Sequence, residues 1–339
     1  MRKRRVLVLM HADLIPPEDP AEIEKLSEAE FLEVKTEYDV VTGLGELGHE
    51  VRPLGLIDDL TPLRRAIADF QPHIVFNLLE EFRGEPMLDQ NVVSFLELVQ
   101  VPYTGCNPRG LMIARDKALS KKILHYHRIP CPRFHVVPKG RKLKRKPAQL
   151  EYPLIVKSQV EEASAGISEA SVVSSDDKLA ERVAFMHDKV GTSAIVEQYI
   201  DGRELYMGVL GDRRLQVLPV WELQIKNLRS DAPKIATRSV KWDPKYQKRR
   251  GVKIGPAEDL PQEVVRRLVH VTKRLYRVLG LSGYARVDFR LDKDNRPYFL
   301  EANPNPDIGY GEEFAEAAEA AGIEYEPLLN RILSLGLRR

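Results

Sequence analysis

The sequence predicts an α/β protein with a parallel sheet in its N-terminal part and α+β structure towards the C-terminus. In the first hundred residues, short apolar runs alternate with amphipathic stretches, which is the βαβ rhythm of a parallel sheet covered by helices. After residue 150, strand-like runs predominate and end in a hairpin. At 339 residues, the chain is too long for one ordinary core, so we expect two or three packed units.

Five segments carry the N-terminal pattern. They are predicted as strand, helix, strand, helix and strand over Val6–Met10, Phe31–Leu47, His49–Leu54, Leu63–Phe70 and His73–Leu79. Gly48 follows the first of these helices at a position where glycine commonly ends a helix. The Pro-rich and acidic stretch Asp13–Ser27 is expected to be an ordered loop over the carboxyl end of the first strand, where open α/β sheets place their ligands.

The pattern changes in the middle of the chain. One or two helices are expected over Asn107–Tyr126, before the prolines at 130 and 132. Strands are then predicted near Tyr152–Lys157, Ala194–Tyr199, Glu204–Leu210 and Leu215–Trp221, a helix over Pro261–Leu279, and a last hairpin from Tyr284–Leu291 and Pro297–Ala302. We place domain boundaries after residues 110 and 195.

The composition excludes several classes of protein. A hydrophobic fraction of 43% and a charged fraction of 30%, with a mean hydropathy of -0.32, are typical of a soluble globular protein. The formal net charge of +2 gives no overall attraction to nucleic acid or membranes. Cys106 and Cys131 cannot make a disulfide framework, which suits the cytoplasm. The basic segment Lys139–Lys146 lacks aromatic residues, so a solvated loop is favoured over a nucleic-acid or phosphate contact.

The last hairpin carries the richest chemistry. Arg286 and Asp288 alternate onto one face of its first strand, and Glu301 and Asn303 share a face of the second. Two carboxylates, an amide and a guanidinium can therefore converge. Hard oxygen ligands suit Mg²⁺ when phosphates and water complete its shell, and an arginine would neutralise developing negative charge. An ion pair of Arg286 with Asp288 or Glu301 is the structural alternative.

Three further motifs indicate phosphate and nucleotide contacts. Lys157 ends a buried apolar strand, where its ammonium needs an anion, and the small residues Ala163–Gly166 would let backbone amides approach phosphates. Glu197 and Glu204 flank a glycine-containing turn, where they could meet an adenine amino group and ribose hydroxyls. Lys117 lies near a helix start. Taken singly, each motif is also explained by a snorkelling lysine or by exposed turn acids.

The order and spacing of these motifs resemble the ATP-grasp superfamily, and within it the D-alanine:D-alanine ligase-like branch. The resemblance covers nearly the whole chain and rests on Pro102–Gly105, Arg115–Lys117, Ile155–Lys157, Glu197–Glu204, Arg286–Asp288 and Leu300–Asn303. It implies an ATP-grasp fold with an N-terminal parallel-sheet domain over 1–110 and a small lid subdomain over 111–195. A C-terminal subdomain over 196–339 would carry the metal site and a basic flap at 231–253.

The resemblance also implies roles for individual residues. ATP would bind Lys117, Lys157, Glu197, Gln198, Tyr199, Ile200, Glu204 and Leu300. Two Mg²⁺ ions, with Mn²⁺ as a substitute, would bind Asp288, Glu301 and Asn303. The catalytic group would comprise Arg286, Lys241, Ser164 and Gly166. Lys241 lies in the basic flap, whose closure would keep water from a hydrolysable intermediate; a solvated surface loop is the alternative.

The implied function is an ATP-dependent carboxylate–amine ligase that forms an amide or peptide bond through an acyl phosphate. The substrate side departs from the family, because its early substrate-binding glutamate has no counterpart here. Its loop serine falls at Ala163, its flap tyrosine at Trp242 and a small hydroxyl residue near Glu312. A glutamate would repel an acceptor carboxylate and attract a cation. We therefore expect an amine or a larger amino-acid derivative as acceptor, not D-alanine.

Three alternatives stay open beside this reading. The chain could be an ATP-binding regulatory protein without ligase activity, a D-alanine:D-alanine ligase proper, or an enzyme that phosphorylates without forming an amide. The expected partners are small-molecule carboxylates and amines, with no nucleic acid and no membrane. A homodimer is compatible with the sequence, although no residue pattern indicates its interface.

Overall fold

The computed structural model describes residues 2–17, 19–161, 166–228 and 233–338, without the side chains at positions 20, 238, 242 and 244. Across these ranges, the chain forms one parallel and two antiparallel sheets. Helices cover the sheets and connect them. The mixed α/β and α+β architecture expected from the sequence is confirmed.

The N-terminal sheet is parallel, with the strand order β2–β1–β3. Its elements are β1 (Arg5–His11), α1 (Pro20–Ile23), α2 (Glu28–Glu46), β2 (Glu50–Leu56), α3 (Thr61–Phe70), β3 (Ile74–Asn77) and α4 (Asp89–Leu98). The apolar run Val6–Met10 is fully buried in β1, because a central parallel strand is covered on both faces. The predicted alternation of strands and helices is therefore correct.

The stretch Asp13–Ser27 differs in part from the expected loop. It begins within a 3₁₀ turn at Ala12–Leu14 and contains the short helix α1. Helix α2 then starts through a capping box, in which Ser27 and Glu30 each accept a hydrogen bond from the other's backbone N–H. This local capping explains why the long helix begins at the end of the stretch.

A four-stranded antiparallel sheet follows, with the order β4–β7–β5–β6. The elements of this middle part are α5 (Pro108–Arg115), α6 (Lys117–Tyr126), β4 (Phe134–Val137), β5 (Leu154–Ser158), β6 (Val172–Val173), α7 (Asp176–Phe185) and β7 (Ala194–Gln198). Asp116 caps α6 by accepting hydrogen bonds from the amides of Ala118 and Leu119. Because β7 continues past residue 195, we propose that the small subdomain ends after Gln198.

The C-terminal sheet is antiparallel, with the order β10–β9–β8–β11–β12. Its elements are β8 (Arg203–Leu210), β9 (Gln216–Ile225), α8 (Arg238–Trp242), α9 (Pro244–Arg250), β10 (Val252–Pro256), α10 (Gln262–Val278), β11 (Tyr284–Leu291), β12 (Pro297–Pro304), α11 (Glu313–Ala320) and α12 (Tyr325–Gly336). Strand β9 runs beyond its predicted end at Trp221, because β10 pairs with it as far as Ile225. The predicted basic flap contains α8, α9 and the start of β10.

Two hydrophobic clusters join the N-terminal and C-terminal sheets. Leu7 and Leu9 of β1 belong to one cluster, together with Val287 of β11. The alternate residues Val6, Val8 and Met10 belong to the other, which reaches α2, α11 and α12. Strand β1 therefore contributes one face to each cluster, as its period of two requires. Among the described residues, none of the helices has the length and apolar character needed to span a bilayer.

Candidate active site

The hairpin β11–β12 aligns the three predicted metal ligands. Asp288 lies opposite Glu301, and Arg286 lies opposite Asn303, with a bulge directly after Asp288. The amide Nδ2 of Asn303 donates a hydrogen bond to Asp288 Oδ2 at 3.0 Å. The structure thus brings the three side chains together as the strand alternation predicted. Their role as metal ligands remains a prediction.

Arg286 is held by two acidic residues. Its Nε and Nη2 donate to the two oxygens of Asp288 at 2.8 and 3.0 Å, and Nη1 donates to Glu313 Oε2 at 3.0 Å. The guanidinium carbon lies 4.9 Å from the ring centroid of Tyr206. Burial would lower the pKa of Arg286, but the two carboxylates raise it well above its ordinary value. Of the two ion pairs considered from the sequence, the structure forms the one with Asp288.

A cleft of about 760 Å³, including the open solvent at its mouth, gathers most of the predicted site. The predicted residues that line it are Lys117, Lys157, Glu197, Gln198, Tyr199, Ile200, Glu204, Lys241, Asp288, Leu300 and Glu301. Of the other described candidates, Arg286 lines a smaller adjoining cavity of about 210 Å³, and Gly166 and Asn303 line neither.

Lysines and glutamates form ion pairs at the cleft. Lys117 Nζ lies 3.3 Å from Glu301 Oε2. The carboxylate of Glu197 lies between two lysines, with Oε1 2.9 Å from Lys121 Nζ and Oε2 3.4 Å from Lys157 Nζ. Lys121 is not among the residues predicted from the sequence. Its signal is the four-residue spacing from Lys117, which places both ammonium groups on one face of α6.

Burial and the lysines have opposite effects on the two glutamates. Burial by itself would raise the pKa of Glu197, but the ammonium groups of Lys121 and Lys157 outweigh it and lower this pKa. The pKa of Glu301 is lowered for the same reason, with Lys117 as its strongest cationic neighbour. Both carboxylates are therefore ionised at neutral pH.

Arg290, which lines the cleft, is a second residue that was not predicted from the sequence. Its Nη2 lies 3.0 Å from Glu204 Oε2, and its Nη1 donates to the carbonyl of Gly202 at 3.0 Å. The guanidinium carbon also lies 5.9 Å from the ring centroid of Tyr199. Arg290 continues the alternation of Arg286 and Asp288 along β11, which is the signal that identifies it. One guanidinium thus contacts two predicted nucleotide-binding residues.

The flap helix α8 brings Lys241 to the cleft. Thr237 Oγ1 caps this helix by accepting from the amide of Val240 at 3.2 Å, and the Val240 side chain is buried. Gln247 of α9 donates through Nε2 to the carbonyls of Val240 and Lys241, at 3.0 Å each. Lys241 also acts electrostatically on Asp288. The predicted flap lysine therefore lies beside the predicted metal ligands.

Gly166 lies at the end of the predicted phosphate loop. Its φ of +67° is a conformation that favours glycine, and an added Cβ would lie 2.7 Å from Val190 Cγ2. The buried Arg182 donates to the Gly166 carbonyl and to Ser171 Oγ. This end of the loop is thus anchored to α7. Ser164 and the departure at Ala163 lie outside the described residues.

Glu312 lies next to Glu313, which contacts Arg286. Its backbone N–H donates to the carbonyl of Gly309 at 3.0 Å, at the start of α11. Burial raises the pKa of Glu312, and the nearby charge of Asp307 adds to the effect, so that the pKa is about 7. The carboxyl group of Glu312 therefore belongs to the residue next to Glu313, which binds the candidate catalytic residue Arg286.

The amino-acid sequence is similar to those of D-alanine–D-alanine ligases. The family model described as "D-ala D-ala ligase C-terminus" matches residues 123–334. The D-alanine–D-alanine ligase of Bordetella petrii is 33% identical over 261 residues, which cover 77% of this chain and 74% of that protein. A Sinorhizobium fredii protein with the name "Uncharacterized protein y4sG" is 31% identical over 314 residues, covering 88% of this chain and 87% of that one.

Solved structures share the fold of this chain over nearly its whole length. The D-alanine–D-alanine ligase from Bacillus anthracis, complexed with ATP, has a TM-score of 0.75 at 24% identity and covers 99% of this chain and 98% of that one. The VanG D-Ala:D-Ser ligase from Enterococcus faecalis has a TM-score of 0.73 at 20% identity, covering 99% and 100%. These similarities confirm the ATP-grasp fold.

Proposed function

The chain belongs to the D-alanine–D-alanine ligase family, and we propose that it uses Mg·ATP to join a carboxylate to an amine other than D-alanine. It is an ATP-grasp ligase that forms C–N bonds. The observation that carries the proposal is the position of Lys117, Lys157, Lys241, Asp288 and Glu301 around one cleft. Phosphate-binding cations and metal-binding oxygens are both needed for phosphoryl transfer, and here they lie together.

ATP binding rests on three ammonium groups and on the end of β7. Lys117, Lys157 and Lys241 all line the cleft, where their charges suit the phosphates. The segment Gln198–Ile200 lines the same cleft and is proposed to bind adenine, with Glu204 on the ribose hydroxyls. Arg290 supports this end of the site, because it pairs with Glu204.

The donor set fits Mg²⁺. Asp288 and Glu301 offer carboxylate oxygens that line the cleft, and Asn303 lies opposite Arg286 on the neighbouring strand. Such hard oxygen donors suit Mg²⁺ when phosphates and waters complete its coordination. When bound, the metal supplies charge neutralisation at the phosphoryl group. We propose that these three residues hold two Mg²⁺ ions and that Mn²⁺ can substitute for Mg²⁺.

Catalysis rests on positioning and on charge neutralisation. The γ-phosphoryl group passes to the substrate carboxylate, the amine attacks the resulting acyl phosphate, and ADP and phosphate are released. Arg286 lies against Asp288 and stabilises the negative charge of the tetrahedral intermediate. Helix α8 places Lys241 at the cleft, and closure of this flap protects the acyl phosphate from water.

The acceptor is proposed to be a cationic amine or a larger amino-acid derivative. Glu312 has Asp307, Glu313 and Glu316 as acidic neighbours, opposed by Lys35. A bound cation would favour the ionised form of Glu312, whereas an acceptor carboxylate would be repelled. The second candidate function is D-alanine:D-alanine ligation itself, which the named Bordetella petrii relative favours.

The proposed partners are small-molecule carboxylates and amines. We propose a cytoplasmic location, because Cys106 and Cys131 are both free thiols. The basic segment Lys139–Lys146 forms a loop, as the sequence predicted, and its Lys146 donates to the carbonyl of Leu150. The homodimer remains a prediction.

The test is phosphate release from Mg·ATP over a panel of amino acids, dipeptides and polyamines, with mass spectrometry of the products. We expect release only when a carboxylate and an amine are both present, together with a new amide mass. An Asp288→Asn, Glu301→Gln double variant should lose this activity. ATP binding without turnover across the panel would instead support a regulatory protein.

The acceptor preference has its own control variant. Glu312→Gln removes the acidic charge with little change in size, so it should lower the preference for cationic acceptors over neutral ones by about tenfold. The measurement is the ratio of kcat/KM for a matched pair of acceptors. Conversion of D-alanine alone to its dipeptide at ordinary enzyme rates would refute the proposed acceptor class and leave ligation intact.

A further inference from the structure

The ammonium group of Lys121 is buried directly behind the nucleotide cleft. The residue is 0% exposed, and its Nζ lies 2.9 Å from Glu197 Oε1 and donates to the carbonyl of Leu300. The ring of Phe299 lies 5.4 Å away. Glu197 and Leu300 both line the cleft, whereas Lys121 is not one of the described lining residues. Lys121 can therefore affect ATP only through its neighbours.

The carboxylate of Glu197 is shared between two lysines, one at each oxygen. Oε1 faces Lys121 behind the cleft, and Oε2 faces Lys157 inside it at 3.4 Å. A carboxylate that is 0% exposed needs cationic compensation, because burial strongly disfavours its charge. Without Lys121, the charge of Glu197 would be compensated by Lys157 alone. The Lys157 ammonium would then be less available to a phosphate oxygen.

We propose that Lys121 is a positioning residue that neutralises Glu197 from behind and thereby leaves Lys157 free to bind an ATP phosphate. This inference rests on the proposed function, in which Lys157 is a phosphate ligand. Helix α6 then contributes two lysines to nucleotide binding, one directly and one indirectly. Lys117 lines the cleft itself, and Lys121, one turn later, sets the charge balance beneath it.

The test is a Lys121→Met variant, studied by calorimetry with ATP and by steady-state kinetics. We expect ATP binding and the KM for ATP to weaken by about tenfold, equal to about 1.4 kcal/mol, which is at the low end of coupling energies of close charge pairs. The kcat at saturating ATP and the KM for the acceptor should stay within about threefold. If Lys121 only maintained the fold, its loss would also change kcat and the KM for the acceptor.

A second variant tests the route through Glu197. In Lys121→Met, Glu197→Gln, the buried carboxylate charge is absent, so the loss of Lys121 should no longer matter. The double variant should then bind ATP within about threefold of Glu197→Gln alone. The matched control is Lys122→Met, an exposed neighbour on α6, which should bind ATP like the wild type.

Two results would overturn the inference. They are wild-type ATP affinity in Lys121→Met, and a double variant that binds ATP more than about threefold more weakly than Glu197→Gln alone. The last comparison applies even where Lys121→Met does not fold, because both of its proteins lack the Glu197 charge. A wild-type chain that binds no ATP would overturn the proposed function, and this inference with it, before any variant is compared.

Discussion

Single residues of the site were predicted best where strand alternation places them. Arg286 and Asp288 share a face of β11, and the register brings Glu301 and Asn303 opposite them. The same alternation extends to Arg290, whose partner Glu204 lies on the neighbouring strand β8. No local pattern names that partner, because ion pairs across a sheet depend on which strands are neighbours.

Arg286 leads to a prediction at this scale. Arg286→Ala should lower kcat by on the order of 100-fold, because the guanidinium is proposed to stabilise charge that develops during the reaction. ATP affinity should stay close to that of the wild type, since Arg286 lines the smaller adjoining cavity and not the nucleotide cleft. The measurements are turnover with the substrates found in the panel and calorimetry with ATP.

Arg290→Ala is the matched contrast on the same strand face. Because Arg290 pairs with Glu204, the proposed ribose ligand, its loss should weaken ATP binding more than it lowers kcat. Turnover of Arg286→Ala at the wild-type rate would refute the role given to Arg286.

At the scale of elements, the short helices α6 and α8 place Lys117 and Lys241 at the cleft. Helix α6 starts at the Asp116 cap and carries Lys117 in its first turn, so its start was readable from the sequence. The flap was expected as a loop, but it contains α8 and α9. A five-residue helix such as α8 is not stable by itself. Its conformation therefore depends on tertiary contacts that no local pattern predicts.

Gln247 leads to a prediction about this flap. Gln247→Ala removes the two hydrogen bonds from α9 to the carbonyls of Val240 and Lys241, so α8 should be held less firmly over the cleft. More acyl phosphate should then be lost to water, and the ratio of phosphate released to amide formed should rise about threefold to tenfold. Phosphate assay and mass spectrometry on one reaction give this ratio. Lys248→Ala, at the exposed neighbour, should leave it unchanged, and an unchanged ratio in Gln247→Ala would contradict the tethering role.

At the scale of the whole molecule, Glu37 links stability to pH. This residue of α2 is 6% exposed and forms no hydrogen bond or ion pair with another described side chain. Burial, with a smaller contribution from Asp307, raises its pKa to about 7 from an ordinary 4.5. The folded protein therefore holds this proton more tightly than the unfolded chain. The free energy of unfolding should fall as pH rises from 4.5 to about 7 and then stay level.

Glu37→Gln should remove the loss of unfolding free energy that ionisation of Glu37 causes. The variant should be more stable than the wild type by up to about 3 kcal/mol at pH 8, and the difference should shrink towards pH 4.5. Chemical denaturation of both proteins across this pH range measures it. Glu33→Gln is the control, because Glu33 lies one turn earlier on α2 and is exposed. A stability difference that did not change with pH would contradict the assignment.

The sequence by itself determined the types and order of most elements, and its motifs supplied most of the residues that line the candidate site. Apolar periodicity is local, which is why the β1 run and the long helix α2 were predicted close to their bounds. Only the tertiary structure decided which charged side chains form ion pairs. The pairing of Lys121 with Glu197 and of Arg286 with Glu313 joins residues far apart in the chain. Such pairs form only after strand register and helix packing bring the charges together, because electrostatic interaction depends on distance and burial and not on sequence order.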